Sequence, residues 1–230
     1  MLILPGSRFL LRASWRSWSI SIAAVAVSAA LVAAATDGVV QSPQPLLAWM
    51  AFTPWLAATV RHGPRGALVL GLIMGLAWFV PGRWDVPGTP AQAISDSVWQ
   101  GHLWTIGFFL TYALPFSLFG WIDARWLRQA PPSTLQPIIR AGVLATLIWV
   151  VWTPFPVTPA AMVVDHTSMI QIAELGGEAW VLWLVLLPSA ALAGLFSYSD
   201  NNLRAMAPTL GLSALLLLAA WTAGTLRIQS

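Results

Sequence analysis

The chain has 230 residues, 58% of them hydrophobic and only 8% charged, and its net charge of +3 rests on arginine alone because lysine is absent. Ordinary soluble domains are about 25% charged, so this composition excludes a soluble globular protein of the usual kind. The arginines sit in separate loops rather than on one basic face, which excludes nucleic acid as a partner. The absence of cysteine excludes disulfides, thiolate metal sites and a cysteine nucleophile within these residues.

Seven apolar stretches follow in order, over residues 18–35, 46–60, 66–80, 98–122, 137–153, 179–196 and 207–226. A bilayer core of ~30 Å takes about 20 mostly apolar residues as a helix. The second and third stretches are short for that unless their flanks insert. The expected fold is an all-α integral membrane protein: one polytopic domain over 1–230, a bundle of about seven transmembrane helices. The first stretch ends in Ala33-Ala34-Ala35-Thr36, which resembles a signal cleavage site. Its apolar run exceeds the ~7–15 residues of a signal, so a retained helix is expected; cleavage would leave the other six oriented as before. The second, fourth and sixth stretches contain Pro54, Pro115 and Pro188, and each proline removes a backbone donor and predicts a kink. Such kinks open a cavity or simply shape the bundle. The third carries Gly71 and Gly75, a small-xxx-small spacing that predicts close helix packing. Trp15, Trp18, Trp84, Trp99, Trp104, Trp121, Trp126 and Trp180 fall near helix ends, as an interfacial belt requires.

Orientation follows from the arginines. Arg8, Arg12 and Arg16 precede the first stretch, Arg61 and Arg65 separate the second and third, Arg125, Arg128 and Arg140 surround the fourth connection, and Arg204 precedes the seventh. The other face has Arg83 and Arg227. The N-terminus is therefore expected in the cytoplasm and the C-terminus on the periplasmic side. Asp37, Asp85, Asp96, Asp165, Glu174 and Glu178 all fall on the outer face.

Two outer connections are longer than joining helices requires, at 81–97 and 153–178. Loops of that length are often functional, and their prolines preset the backbone. They suit a shallow site at the membrane–water boundary. Its candidate substrate- or lipid-binding residues are Arg83, Trp84, Asp85, Phe155, Pro156, Asp165, His166 and Glu174. Arg83 suits a lipid phosphate, or more plainly an ion pair with Asp85.

No catalytic residue is assigned. Asp165 and His166 are sequence neighbours without a serine in a nucleophile elbow. His62, His102 and His166 show no metal-ligand spacing, so no metal or other cofactor is expected. Asp123 and Asp200 read as cytoplasmic loop residues, leaving no acid at mid-helix, where a proton-coupled transporter usually keeps one. No internal repeat is visible.

The order of these features resembles the N-terminal membrane domain of the apolipoprotein N-acyltransferase family. The stretches that carry the resemblance are Pro45-Leu-Leu-Ala-Trp-Met-Ala-Phe-Thr-Pro54, Arg65 to Phe79 leading into Arg83-Trp84, Leu114-Pro-Phe-Ser-Leu-Phe-Gly-Trp121, Trp152-Thr-Pro-Phe-Pro156 and His166 to Gly177. Together they span most of 18–227. The family's Phe-Pro-Trp turn reads Phe155-Pro156-Val157 here, and the polar Glu and Arg before it are missing from Ile148–Trp152.

The resemblance implies a multi-pass protein of the bacterial inner membrane, concerned with lipoprotein biosynthesis. The family's catalytic Glu, Lys and Cys belong to a nitrilase-like domain after the seventh helix. These residues contain neither lysine nor cysteine, so the chain is expected to be inactive alone. It would present phospholipid and lipoprotein to a separate nitrilase-like chain. The alternative is a non-enzymatic scaffold or assembly factor derived from the same domain, and a transporter ranks below both.

Overall fold

The computed structural model describes residues 15–36, 45–79, 98–129, 133–151, 158–163, 166–196 and 202–229. Its helices are α1 (Trp15–Thr36), α2 (Pro45–Met50), α3 (Thr53–Thr59), α4 (Pro64–Phe79), α5 (Val98–Arg125), α6 (Gln136–Val150), α7 (Thr167–Ile170), α8 (Ala173–Leu195) and α9 (Asn202–Gln229). Short 3-10 turns cover Leu127–Gln129 and Pro159–Val163. No strand occurs among the described residues. Among the described residues, each of the seven apolar stretches is mostly helical. Four helices, α1, α5, α8 and α9, are long and apolar enough to cross a membrane; Leu46–Thr59, α4 and α6 are shorter.

Where the sequence predicts a proline kink inside the second stretch, the structure has two helices. Pro54 lies in the first turn of α3, where a missing N–H has no intrahelical partner to lose. The chain turns at Ala51 and Phe52 instead. The polar groups freed there need partners, and buried serines from other helices supply them. The Phe52 N–H donates to Ser189 Oγ at 3.3 Å, and the Ser189 hydroxyl donates to the Trp49 carbonyl at 2.7 Å. The Trp55 N–H donates to Ser28 Oγ at 2.9 Å. Pro115 and Pro188 do lie inside α5 and α8.

Gly71 and Gly75 pack α4 directly onto α5. A Cβ on Gly71 would lie 2.2 Å from the Phe116 carbonyl oxygen, and one on Gly75 would lie 2.4 Å from Ala113 Cα. Gly120 returns the approach from α5, with its Cβ position 2.2 Å from the Ala67 oxygen. Ser117 Oγ donates across the seam to the Leu68 carbonyl at 3.0 Å. Beside the seam lies an aromatic core: Phe52 stacks on Phe116 at 6.0 Å, Trp55 meets Phe116 and Phe119 edge-on or tilted, and Phe79 stacks on Tyr112 at 3.8 Å. Trp15, Trp99, Trp104, Trp126 and Trp180 are exposed, as lipid-interface residues would be; Trp84 lies outside the described residues.

One end of the bundle gathers the arginine-bearing turns. Asp123, expected in a loop, lies in the last turn of α5 and is fully buried. Arg140 from α6 grips it with Nε 2.8 Å from Oδ1 and Nη2 3.0 Å from Oδ2. Arg128 adds Nε at 3.2 Å from Oδ2 and donates to the carbonyls of Thr59 and His62 at 2.8 and 3.1 Å. Thr209 of α9 donates to the Thr134 carbonyl at 2.6 Å. The paired charges thus lock α3, α5 and α6 at this end, and Thr209 ties α9 to the turn before α6.

Candidate functional site

At the opposite end, the described residues of the second long connection carry the Pro159–Val163 turn, α7 and the start of α8. The Pro159–Val163 turn packs against α1, α2 and α8, and α7 packs against the last turns of α9. Met169, fully buried, anchors α7. A Cβ on Gly224 would lie 1.9 Å from the Ser168 carbonyl oxygen, so α9 runs hard against α7. The Ser168 and Thr225 hydroxyls meet at 3.2 Å across that seam.

α8 opens with a break. Gly176 has φ −150° and ψ 19°, and Gly177 has φ 70° and ψ −171°. The second pair lies in a region essentially closed to residues with a side chain. Trp180 lies over Gly176, where a Cβ would fall 1.7 Å from the indole Cδ1. An acid lies on each side of the break. Glu174, in the first turn of α8, pairs with Arg227 from α9. Glu178 accepts a hydrogen bond from the Thr158 hydroxyl.

Of the candidate residues, the structure brings His166 and Glu174 to this rim. The half-buried His166 ring lies 5.8 Å from Trp221, tilted by 45°. Its backbone closes the turn into α7, with the N–H donating to Val163 O at 3.0 Å and the carbonyl accepting from Met169 at 2.8 Å. Arg83, Trp84, Asp85, Phe155, Pro156 and Asp165 lie outside the described residues. The rim therefore combines a cation, two carboxylates, an imidazole and hydroxyls above an apolar bundle. Charge and hydrogen bonding are the chemistry that such a set offers to polar groups. Among the described residues, no group of acids and histidines is arranged to hold a metal ion.

Sequence reasoning missed a second polar pair. Ser21 Oγ and His62 Nε2 lie 2.7 Å apart and both residues are buried. Trp18 covers the imidazole at 4.6 Å. Burial, then the charges of Arg128 and Arg61, lower the His62 pKa below its usual value, favouring the neutral ring. A serine beside a neutral imidazole matches a nucleophile and base, but among the described residues no carboxylate orients the ring. The pair instead closes α1 onto the α3–α4 turn. In sequence the two residues lie 41 positions apart, with nothing local to link them.

No protein-family model matches the chain, and a search of curated proteins finds no match.

Proposed function

We propose that this chain is the membrane part of an apolipoprotein N-acyltransferase-like system in a bacterial inner membrane. It crosses the bilayer seven times, with the arginine-bearing end in the cytoplasm. It gathers phospholipid and lipoprotein at the opposite, periplasmic rim and presents them to a nitrilase-type catalytic domain on another chain. The contribution of these residues is proximity and orientation, and the thiolate nucleophile comes in trans.

The observation that carries this reading is the polar rim itself. His166, Glu174, Glu178 and Arg227 lie at the end remote from the buried Asp123–Arg140 pair, and His166 and Glu174 belong to the segment, His166 to Gly177, whose sequence resembles the family's approach to its sixth helix. The test is affinity purification from native membranes in mild detergent, with mass spectrometry of what co-purifies. A stoichiometric nitrilase-fold partner with a reactive cysteine is expected, together with no acyl transfer by the chain alone. A clean monomer or self-oligomer would instead favour a non-enzymatic scaffold. An acyl-enzyme formed on the isolated chain would overturn the division of labour.

A further inference from the structure

A groove of about 260 Å³ opens on the flank of the bundle at its arginine-bearing end. Ile20 and Ala24 of α1 form one wall, Pro54 and Ala57 of α3 the other, and Phe196, just after α8, lies at its edge. The trough exists because small side chains face each other where larger ones would interlock. The Pro54 side of the wall also lacks a backbone donor. Arg61 stands at one end, exposed to solvent.

We infer that this groove holds one acyl chain of an anionic phospholipid, with the lipid phosphate on Arg61. The wall is mainly apolar, with the hydroxyl residues Ser21 and Thr53 also on it, and it is charged at one end, as in a lipid. From Pro54 to Arg61 the helical rise of 1.5 Å per residue gives roughly 10 Å. That fits within one leaflet of a hydrocarbon core of ~30 Å. The charge balance selects an anion. Arg61 and Arg65 are both exposed here. Of the described carboxylates, Asp123 is held between Arg128 and Arg140, and Glu174 and Glu178 lie at the far rim. Among the described residues, no carboxylate pairs with Arg61. A free phosphate would leave the apolar wall unused; a zwitterionic lipid would offset its phosphate with its own ammonium and gain less from Arg61.

The inference rests on the membrane reading of the chain but not on any acyltransferase role. Membrane insertion is checked first, by resistance of the chain to alkaline carbonate extraction. Release into the soluble fraction would remove the membrane reading and this site with it. For the inserted chain, native mass spectrometry in detergent compares phosphatidylglycerol with phosphatidylcholine of the same chain length. One retained phosphatidylglycerol is expected, favoured by roughly fivefold, the contribution of one arginine near an anionic surface. Arg61→Gln, at an exposed position, should remove that preference while retaining a lipid. Ala57→Phe, which fills the groove, should lose both lipids, with thermal unfolding confirming that the variant folds. Equal retention of the two lipids by the native chain would overturn the inference. So would an unchanged preference in Arg61→Gln, or a dimer forming on this face in place of a lipid adduct.

Discussion

Arg140 holds Asp123 through two contacts, Nε to Oδ1 at 2.8 Å and Nη2 to Oδ2 at 3.0 Å, with both side chains almost wholly out of contact with solvent. Removing Arg140 leaves the buried Asp123 carboxylate with Arg128 alone, 3.2 Å from Oδ2, and strips its Oδ1 of a partner. Arg140→Met should therefore lower stability, by at most the roughly 3–5 kcal/mol of a fully unpaired buried charge. Arg227→Gln, at the exposed pair with Glu174, should change it by less than about 1 kcal/mol. Thermal unfolding in mild detergent separates the two, and equal effects would show that the Asp123 cluster is not a structural lock.

The α4–α5 seam gives a second contrast. Gly71→Val places methyl groups where even a Cβ would sit 2.2 Å from backbone. Overpacking of this kind costs about 1–3 kcal/mol, and the clash here is with main chain rather than a flexible side chain. Gly107→Ala, with nothing within 4 Å of its Cβ position, should be neutral or raise stability by up to about 1 kcal/mol. A seam that tolerates Gly71→Val as well as Gly107→Ala would not be tightly packed.

His62 makes stability depend on pH. Its pKa is lowered by burial and by the charges of Arg128 and Arg61, so on acidification the unfolded chain takes up the proton first. Stability then rises with pH wherever the unfolded state binds more protons. The contribution of His62 should be level above about pH 6.5, the unfolded imidazole value. It should fall as pH drops from there toward the lower native pKa. His62→Gln should remove that part of the fall in thermal unfolding followed across this range. An unchanged profile would mean that the ring is not buried in its neutral form.

The chain contains no cysteine, so an introduced thiol is the sole one. Gly63→Cys lies in the α3–α4 turn and Leu175→Cys at the polar rim, both at exposed positions. In intact cells with the outer membrane permeabilised, an impermeant maleimide should label Leu175→Cys. It should reach Gly63→Cys only after the inner membrane is opened. Labelling of both from one side would refute the proposed orientation.

The helical stretches were legible because composition and length alone mark them: 98–122 appears as Val98–Arg125 and 207–226 as Asn202–Gln229. The helices run past the apolar limits because polar residues at their ends continue the same backbone bonding. Asp123 reads as a loop residue for that reason, and its partners Arg128 and Arg140 are legible only as orienting charges. The α2–α3 break was not legible either. Pro54 signals a disturbance, but its location at Ala51 and Phe52 depends on Ser28 and Ser189, which are remote in sequence. At the rim, His166 and Glu174 stood out because polar residues are rare here. The Gly176–Gly177 pair was visible without any sign that the helix would break there.

That break between α2 and α3 also imposes an order on how the protein is made. The Trp49 carbonyl and the Phe52 N–H are satisfied by a hydroxyl 140 and 137 residues further along the chain. Unpaired backbone groups are not tolerated in hydrocarbon. On the proposed seven-span topology, the second apolar segment therefore cannot settle into its final place as it leaves the ribosome. It must wait near water, or against other protein, until α8 has been synthesised and Ser189 arrives. Maturation of the bundle thus has a late step that joins its beginning to its end, and a chain interrupted before Ser189 should be left with an early hairpin open to quality-control proteases.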